Sequence, residues 1–135
     1  MKYRLEVFVL PVSDVDRAKE FYARCGFHCD VDHDGGEHFR VVQFTPPGSA
    51  CSITFGIGMP SRAEPGQYSG IHLVVNDVEA AVAELRERGI DVSDPYHFGE
   101  TGQGPGVHPE RIDFGSYASF DDPDGNSWLL VTGRE

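Results

Sequence analysis

The chain has 135 residues, enough for one domain with its own core, and its 39% hydrophobic and 11% aromatic residues exclude the depletion that marks a disordered chain. A formal net charge of −11 with no Lys/Arg cluster excludes a phosphate-backbone partner, so no nucleic acid is expected. Arg4 and Glu6 interrupt the first apolar stretch and no run of about 18 apolar residues occurs, so the expectation is a cytoplasmic protein with no membrane partner.

From Val7 the chain reads as a strand rich in Val and Leu, and then changes period to three and four. Ser13 and Asp16 suit a capping box, Val15, Ala18, Tyr22 and Cys25 fall on one helical face, and Gly26 stands where the helix should end. Strand-like segments follow at 27–32, 38–45 and 51–57, the last two separated by the turn Thr45-Pro46-Pro47-Gly48. The acidic stretch 30–38, flanked by His28, His33 and His38, has neither the spacing of a calcium loop nor the order of a zinc site, and reads as a solvated hairpin tip. Three cysteines, Cys25, Cys29 and Cys51, are an odd number without redox spacing and read as reduced thiols.

Residues 59–69, with Met59-Pro60 and Glu64-Pro65-Gly66, read as a linker between a first module at 1–58 and a second at 70–135. The second module repeats the first: residues 70–90 lie over residues 7–27 without a gap at a constant offset of 63. Leu10 meets Leu73, Asp14 meets Asp77, Ala18 meets Ala81 and Gly26 meets Gly89. Here Asn76 with Glu79 suits the cap and Val78, Ala81, Val82 and Leu85 the buried face. Strand-like segments return at 90–98, 114–120 and 127–132, the last preceded by the turn Asp122-Pro123-Asp124-Gly125-Asn126. The glycine-rich stretch 99–115 is longer than an ordinary hairpin connection and reads as a pocket-edge loop. The expected fold class is α+β, a single domain of two βαβββ modules whose curved mixed sheet surrounds a pocket.

The duplicated module, the Asp-x-x-x-Ala helix starts, the glycines ending each helix and the closing Asp-Pro-Asp-Gly-Asn before an apolar strand together resemble the vicinal oxygen chelate superfamily. That group holds glyoxalase I, extradiol dioxygenases, methylmalonyl-CoA epimerase and the bleomycin and fosfomycin resistance proteins. The resemblance implies a homodimer. It also implies metal-ligand positions on the first and last strands of each half, which fall here at Val7, Thr54, Gly70 and Leu129. None of these is a ligand of the usual kind, and a shift of one residue would bring in only Glu6, so the expectation is no metal and no cofactor.

Strand alternation then sorts the side chains. Phe8, Leu10, Ile53, Phe55, Ile71, Leu73 and Trp128 are expected under the helices. Leu5, Val7, Val9, Ser52, Thr54, Gly70, His72, Leu129 and Val131 are expected toward the pocket. His72 is the candidate acid/base, and its alternative is a histidine bonded to a neighbouring strand and chemically idle. On the strand before the last turn either Tyr117 and Ser119, or Ser116, Ala118 and Phe120, face the pocket, and the sequence leaves both open. Phe98 and Arg111, with His97 and His108, border the long loop as candidate rim residues, or are ordinary solvated loop positions.

Two functions compete. One is metal-independent binding of a small molecule, an antibiotic-like natural product that the acidic surface would favour as cationic or polycyclic. The other is a cofactor-independent isomerase, lyase or cyclase in which His72 moves a proton and Tyr117 or Arg111 stabilises negative charge. A divergent metal enzyme and a scaffold without a ligand are further readings. Phosphoryl transfer and serine hydrolysis lack their motifs.

Overall fold

The computed structural model describes residues 1–133. In chain order the elements are β1 (Val7–Val9), α1 (Val15–Arg24), β2 (His28–Asp34), β3 (Arg40–Thr45), β4 (Ser52–Ile57), β5 (Ile71–Val75), α2 (Val78–Glu87), β6 (Tyr96–Gly99), β7 (Gly102–Pro105), β8 (Ser116–Asp121) and β9 (Ser127–Thr132). They form an α+β chain with two mixed sheets, ordered β1-β4-β3-β2 and β5-β9-β8-β6-β7. In each, the strand before the helix lies parallel to the last strand of its own half, β1 on β4 and β5 on β9. The duplication read from the sequence is thus repeated in the pairing. No helix among the described residues is long and apolar enough to cross a membrane.

The chain separates into two compact units, Met1–Tyr68 with Asp122–Asn126, and Ser69–Asp121 with the chain from Ser127 onward. In the first, α1 lays Ala18 and Tyr22 on Leu10, Val42, Phe44, Ile53 and Phe55, all nearly or fully buried. Tyr22 is the hub of this core, with ring centroids 5.8 Å from Phe27 and 5.9 Å from Phe55. At the helix edge Arg40 bonds Asp16 at 2.8 Å and Asp32 at 3.0 Å, and Lys19 bonds Asp32 at 2.6 Å, which pins α1 to β2 and β3. In the second unit Val78, Val82 and Leu85 of α2 are buried with Ile90, Val92, Ala118, Phe120, Trp128 and Leu130, and the Phe120 and Trp128 rings lie parallel at 6.1 Å.

The helix starts differ from expectation by one residue. Asp14 caps α1, its carboxylate accepting from the Arg17 N–H at 3.0 Å, and Asp77 caps α2 through the Ala80 N–H at 3.1 Å. The Ser13 hydroxyl instead bonds Asp124 in the last turn, so it is not free to cap. Gly26 and Gly89 end the helices with φ of 92° and 82°, a conformation that disfavours residues with a Cβ.

The second half carries one strand more than expected. Within the stretch read as an irregular loop, Gly102–Pro105 forms a strand that pairs with Tyr96–Gly99 as a hairpin. Upstream, the segment expected as one strand from residue 90 makes only a single bridge, Val92 to Phe120, before Pro95, which has no N–H to continue a ladder.

The Asp-Pro-Asp-Gly-Asn turn is built around a buried carboxylate. Asp122 Oδ1 accepts the N–H groups of Asp124 at 3.0 Å and Asn126 at 2.9 Å, while Oδ2 accepts the Tyr22 hydroxyl at 2.8 Å and Asn126 Nδ2 at 2.9 Å. Asn126 Nδ2 also reaches the Pro11 carbonyl at 2.8 Å, and its Oδ1 accepts the Tyr68 N–H at 3.2 Å. The buried side chains of Asp122 and Asn126 satisfy one another and their neighbours, which is why two polar groups can be buried at this turn.

Candidate functional site

Each sheet has one face under its helix and one open face, and pairing register decides which residues share the open one. In the first unit Val7 pairs with Ser52 and Val9 with Thr54, and Thr54 with Gln43. This puts Val7, Val9, Ser52 and Thr54 at one parity, although Ser52 and Thr54, expected toward an open pocket, are buried. Their hydroxyls are occupied: Ser52 Oγ lies 2.6 Å from Thr45 Oγ1, Thr45 donates to Asp30, and Thr54 donates to the Val42 carbonyl at 3.1 Å. Val7 is 47% exposed, so this face is apolar at one edge and internally satisfied beside it.

In the second unit His72 pairs with Leu129, which pairs with Ser119; Val74 pairs with Val131, which pairs with Tyr117; and Tyr117 pairs with Tyr96. The open face therefore carries Tyr117 and Ser119, and Ser116, Ala118 and Phe120 are buried on the other. Phe98 shares the parity of Tyr96. The three rings pack together, Tyr96 and Tyr117 stacked at 5.8 Å and Phe98 edge-on to both at 6.0 and 5.6 Å. Phe98 is 55% exposed and Val74 51%, whereas Val131, expected to line the pocket openly, is fully buried between its neighbours Val74 and Tyr117.

His72 is exposed, and its Nδ1 lies 2.6 Å from the carbonyl of Gly70, the residue before its strand. A carbonyl can only accept, so Nδ1 carries a proton, and in the neutral ring Nε2 is then the acceptor. The ring is thereby oriented without being used up.

Beside the aromatic cluster runs an open groove of about 590 Å³, lined among others by Ser93, Asp94, Tyr96, Gln103, Pro105 and Ser119. It continues into a smaller one of about 340 Å³ that shares Ser93 and Ser119 and ends on Asp91 and Asp121. Its floor is held by the Ser119 N–H donating to Ser93 Oγ at 2.9 Å and by the Ser93 N–H donating to the Ser119 carbonyl at 2.9 Å. The face thus runs from rings to hydroxyls to carboxylates. Sequence reasoning missed Tyr96, Ser93 and Gln103; stepping back two residues from Phe98 would have found Tyr96, but Gln103 lay in the unrecognised hairpin.

Arg111 is not brought to this cluster by any contact: its guanidinium lies 3.4 Å from Glu79 in the first turn of α2. His97, at opposite parity to Phe98, bonds the Gly106 carbonyl at 2.9 Å and packs 5.7 Å from His108.

The donor set does not fit a divalent cation. Across the paired strands Val7 lies opposite Ser52, Thr54 opposite Val9, and Leu129 opposite His72. Neither open face supplies the three or four donors such an ion needs: around Val7 the first offers methyls and engaged hydroxyls, and around Leu129 the second offers one imidazole. Among the described residues no group of three or more His, Cys, Asp or Glu side chains could hold one.

A family model of the Glyoxalase/Bleomycin resistance protein/Dioxygenase superfamily matches residues 4–130, and the chain belongs to that superfamily. Among solved structures it is similar to TnmS3, an antibiotic binding protein from Streptomyces sp. CB03234, with 34% identity over 98% of each chain and a TM-score of 0.74. It is also similar to a glyoxalase/bleomycin resistance protein from the same organism, with 36% identity over 93% of this chain and 96% of the other and a TM-score of 0.68. The bleomycin resistance determinant encoded on transposon Tn5 shares the fold at 20% identity over 96% and 97% of the two chains, with a TM-score of 0.63. No curated protein matches the chain.

Proposed function

We propose that this protein binds a small polycyclic molecule, cationic in part, without a metal, in the manner of an antibiotic-sequestering protein. The observation that carries the reading is the open face of the second unit, where Tyr96, Phe98 and Tyr117 form one aromatic surface leading past Ser93 and Ser119 to Asp91 and Asp121. Rings recognise flat apolar surface, and carboxylates beside them favour a positively charged substituent. The likeness to an antibiotic binding protein at 34% identity supports the same reading. His72 Nε2, held as an acceptor, suits a ligand hydroxyl or ammonium group. The protein works in the cytoplasm as a homodimer, as the resemblance to its superfamily implies.

The test is thermal denaturation with increasing 9-aminoacridine, a planar cationic tricycle, followed by recovery of the compound. The melting temperature should rise with the logarithm of free concentration and the compound should return unchanged. No shift up to millimolar concentration would overturn the reading. The competing enzyme reading rests on His72 alone, whose free Nε2 is also a base; it predicts that a bound compound is isomerised, and recovery of an altered compound would establish it over binding.

A further inference from the structure

Among the described residues two that are not glycine have positive φ, Arg111 at 49° and Phe114 at 59°. An L residue is disfavoured there because its Cβ crowds the following carbonyl, and a bulky aromatic is a rarer occupant than Asn or Asp. The conformation at Phe114 is fixed by its surroundings. Its N–H donates to the Thr132 carbonyl, its own carbonyl accepts the Tyr117 hydroxyl at 2.9 Å, and the Gly115 N–H donates to the Ile112 carbonyl at 3.2 Å.

Nothing in the core requires a ring at this position, because Phe114 is 58% exposed. Glycine would fit the backbone better and expose no apolar surface. The ring stands at the end of the aromatic face: a Cβ placed on Gly133, which follows β9, would lie 3.4 Å from the Phe114 ring and 2.5 Å from Val74 Cγ1. Gly133 has the parity of Leu129 and Val131, so its missing side chain is what admits Phe114 beside Val74 on the open face.

We propose that Phe114 is a specificity-determining wall of the binding face, held upright by a strained backbone so that a flat aromatic ligand is bounded by it at one end. This rests on the reading of that face as a ligand site. Strain kept where neither folding nor solubility gains from it is a mark of function.

The test pairs two variants, Phe114→Ala and Phe114→Gly, in fluorescence titration with 9-aminoacridine and in thermal denaturation without it. Both remove the ring, so both should weaken binding by roughly tenfold. Only glycine also relaxes the backbone, so the Gly variant should melt about 2–4 °C above the Ala variant. Wild-type affinity in both variants would overturn the wall while leaving the binding face standing. A Gly variant that melts no higher than the Ala variant would overturn the strain. Absence of 9-aminoacridine binding by the unaltered protein would overturn the face reading, and the wall with it.

Discussion

The buried carboxylate of Asp122 offers the sharpest test of how the closing turn is held. Replacing Tyr22 by Phe removes one hydroxyl and leaves the ring and its contacts with Phe27, Phe44 and Phe55 in place. The bond lost is 2.8 Å long and ends on a carboxylate that is 4% exposed, so it is charge-assisted and poorly replaced by water. Such bonds contribute about 1.5–3 kcal/mol. Oδ2 keeps Asn126 Nδ2 at 2.9 Å, so the carboxylate is not orphaned and the lower part of that range, about 1.5–2 kcal/mol, applies. Asp122→Ala is a different perturbation, since it removes at once the acceptor of the Tyr22 hydroxyl and of the N–H groups of Asp124 and Asn126, and leaves Asn126 Nδ2 only the Pro11 carbonyl. Its cost should reach about 3–5 kcal/mol. Urea denaturation followed by far-UV circular dichroism measures both, with an unchanged m-value required for the comparison. If Tyr22→Phe loses less than about 0.5 kcal/mol, the hydroxyl bond is not what holds the turn, and the account of the buried Asp122 carboxylate is wrong.

Three further outcomes are expected. Asp32 is held at a pKa of about 2 by hydrogen bonds from Arg40 and Lys19, below the ordinary value of 3.8, so its contribution is present above pH 4 and lost as pH falls through 2. Because the pair is partly solvated it amounts to about 1 kcal/mol, and Arg40→Ala should flatten the fall in melting temperature between pH 5 and 2. His72→Ala should leave the melting temperature nearly unchanged, since the ring is exposed, yet weaken 9-aminoacridine binding by about 0.5–1.5 kcal/mol; a loss of turnover by roughly 10²–10⁴ would instead mark a general base. Elemental analysis of freshly purified protein should find no stoichiometric divalent metal, and one tightly held Zn, Ni, Mn or Fe per chain would refute the donor-set argument.

Much of the fold was legible because each half announces itself by a change of hydrophobic period followed by glycine. Ala18, Tyr22, Val82 and Leu85 fell where helical spacing placed them, and Trp128 was assigned to the core by parity with Leu130. What failed was local chemistry with more than one solution. Ser13 and Asp14 are both good caps, and only the Ser13 bond to Asp124, 111 residues away, decides between them. The β6–β7 hairpin was hidden because Gly102, Gln103 and Gly104 carry no apolar alternation, and its order comes from pairing with a strand whose own signal is strong.

The candidate site was legible to the same depth and no further. Alternation along β5 and β9 puts His72 and Leu129 on one face, but a strand pattern is silent about its neighbour's register, and only the pairing shows Ser52 opposite Val7 and Thr54 opposite Val9. The choice between Tyr117 and Phe120 was likewise a register question, settled once Tyr117 was found opposite Val131 and Tyr96. Arg111 suits a pocket rim by its charge in a loop, yet its guanidinium pairs with Glu79 on α2, which no linear pattern relates to residue 111. Phe114 is the opposite case. Its side chain is unremarkable in the sequence, and its significance lies in a φ of 59° that a reader of residue types would have assigned to glycine. A face assembled from paired strands can be reached by parity and register; a wall held by strain becomes visible only when the backbone is known, which is why the ring count of this site is understated by its sequence.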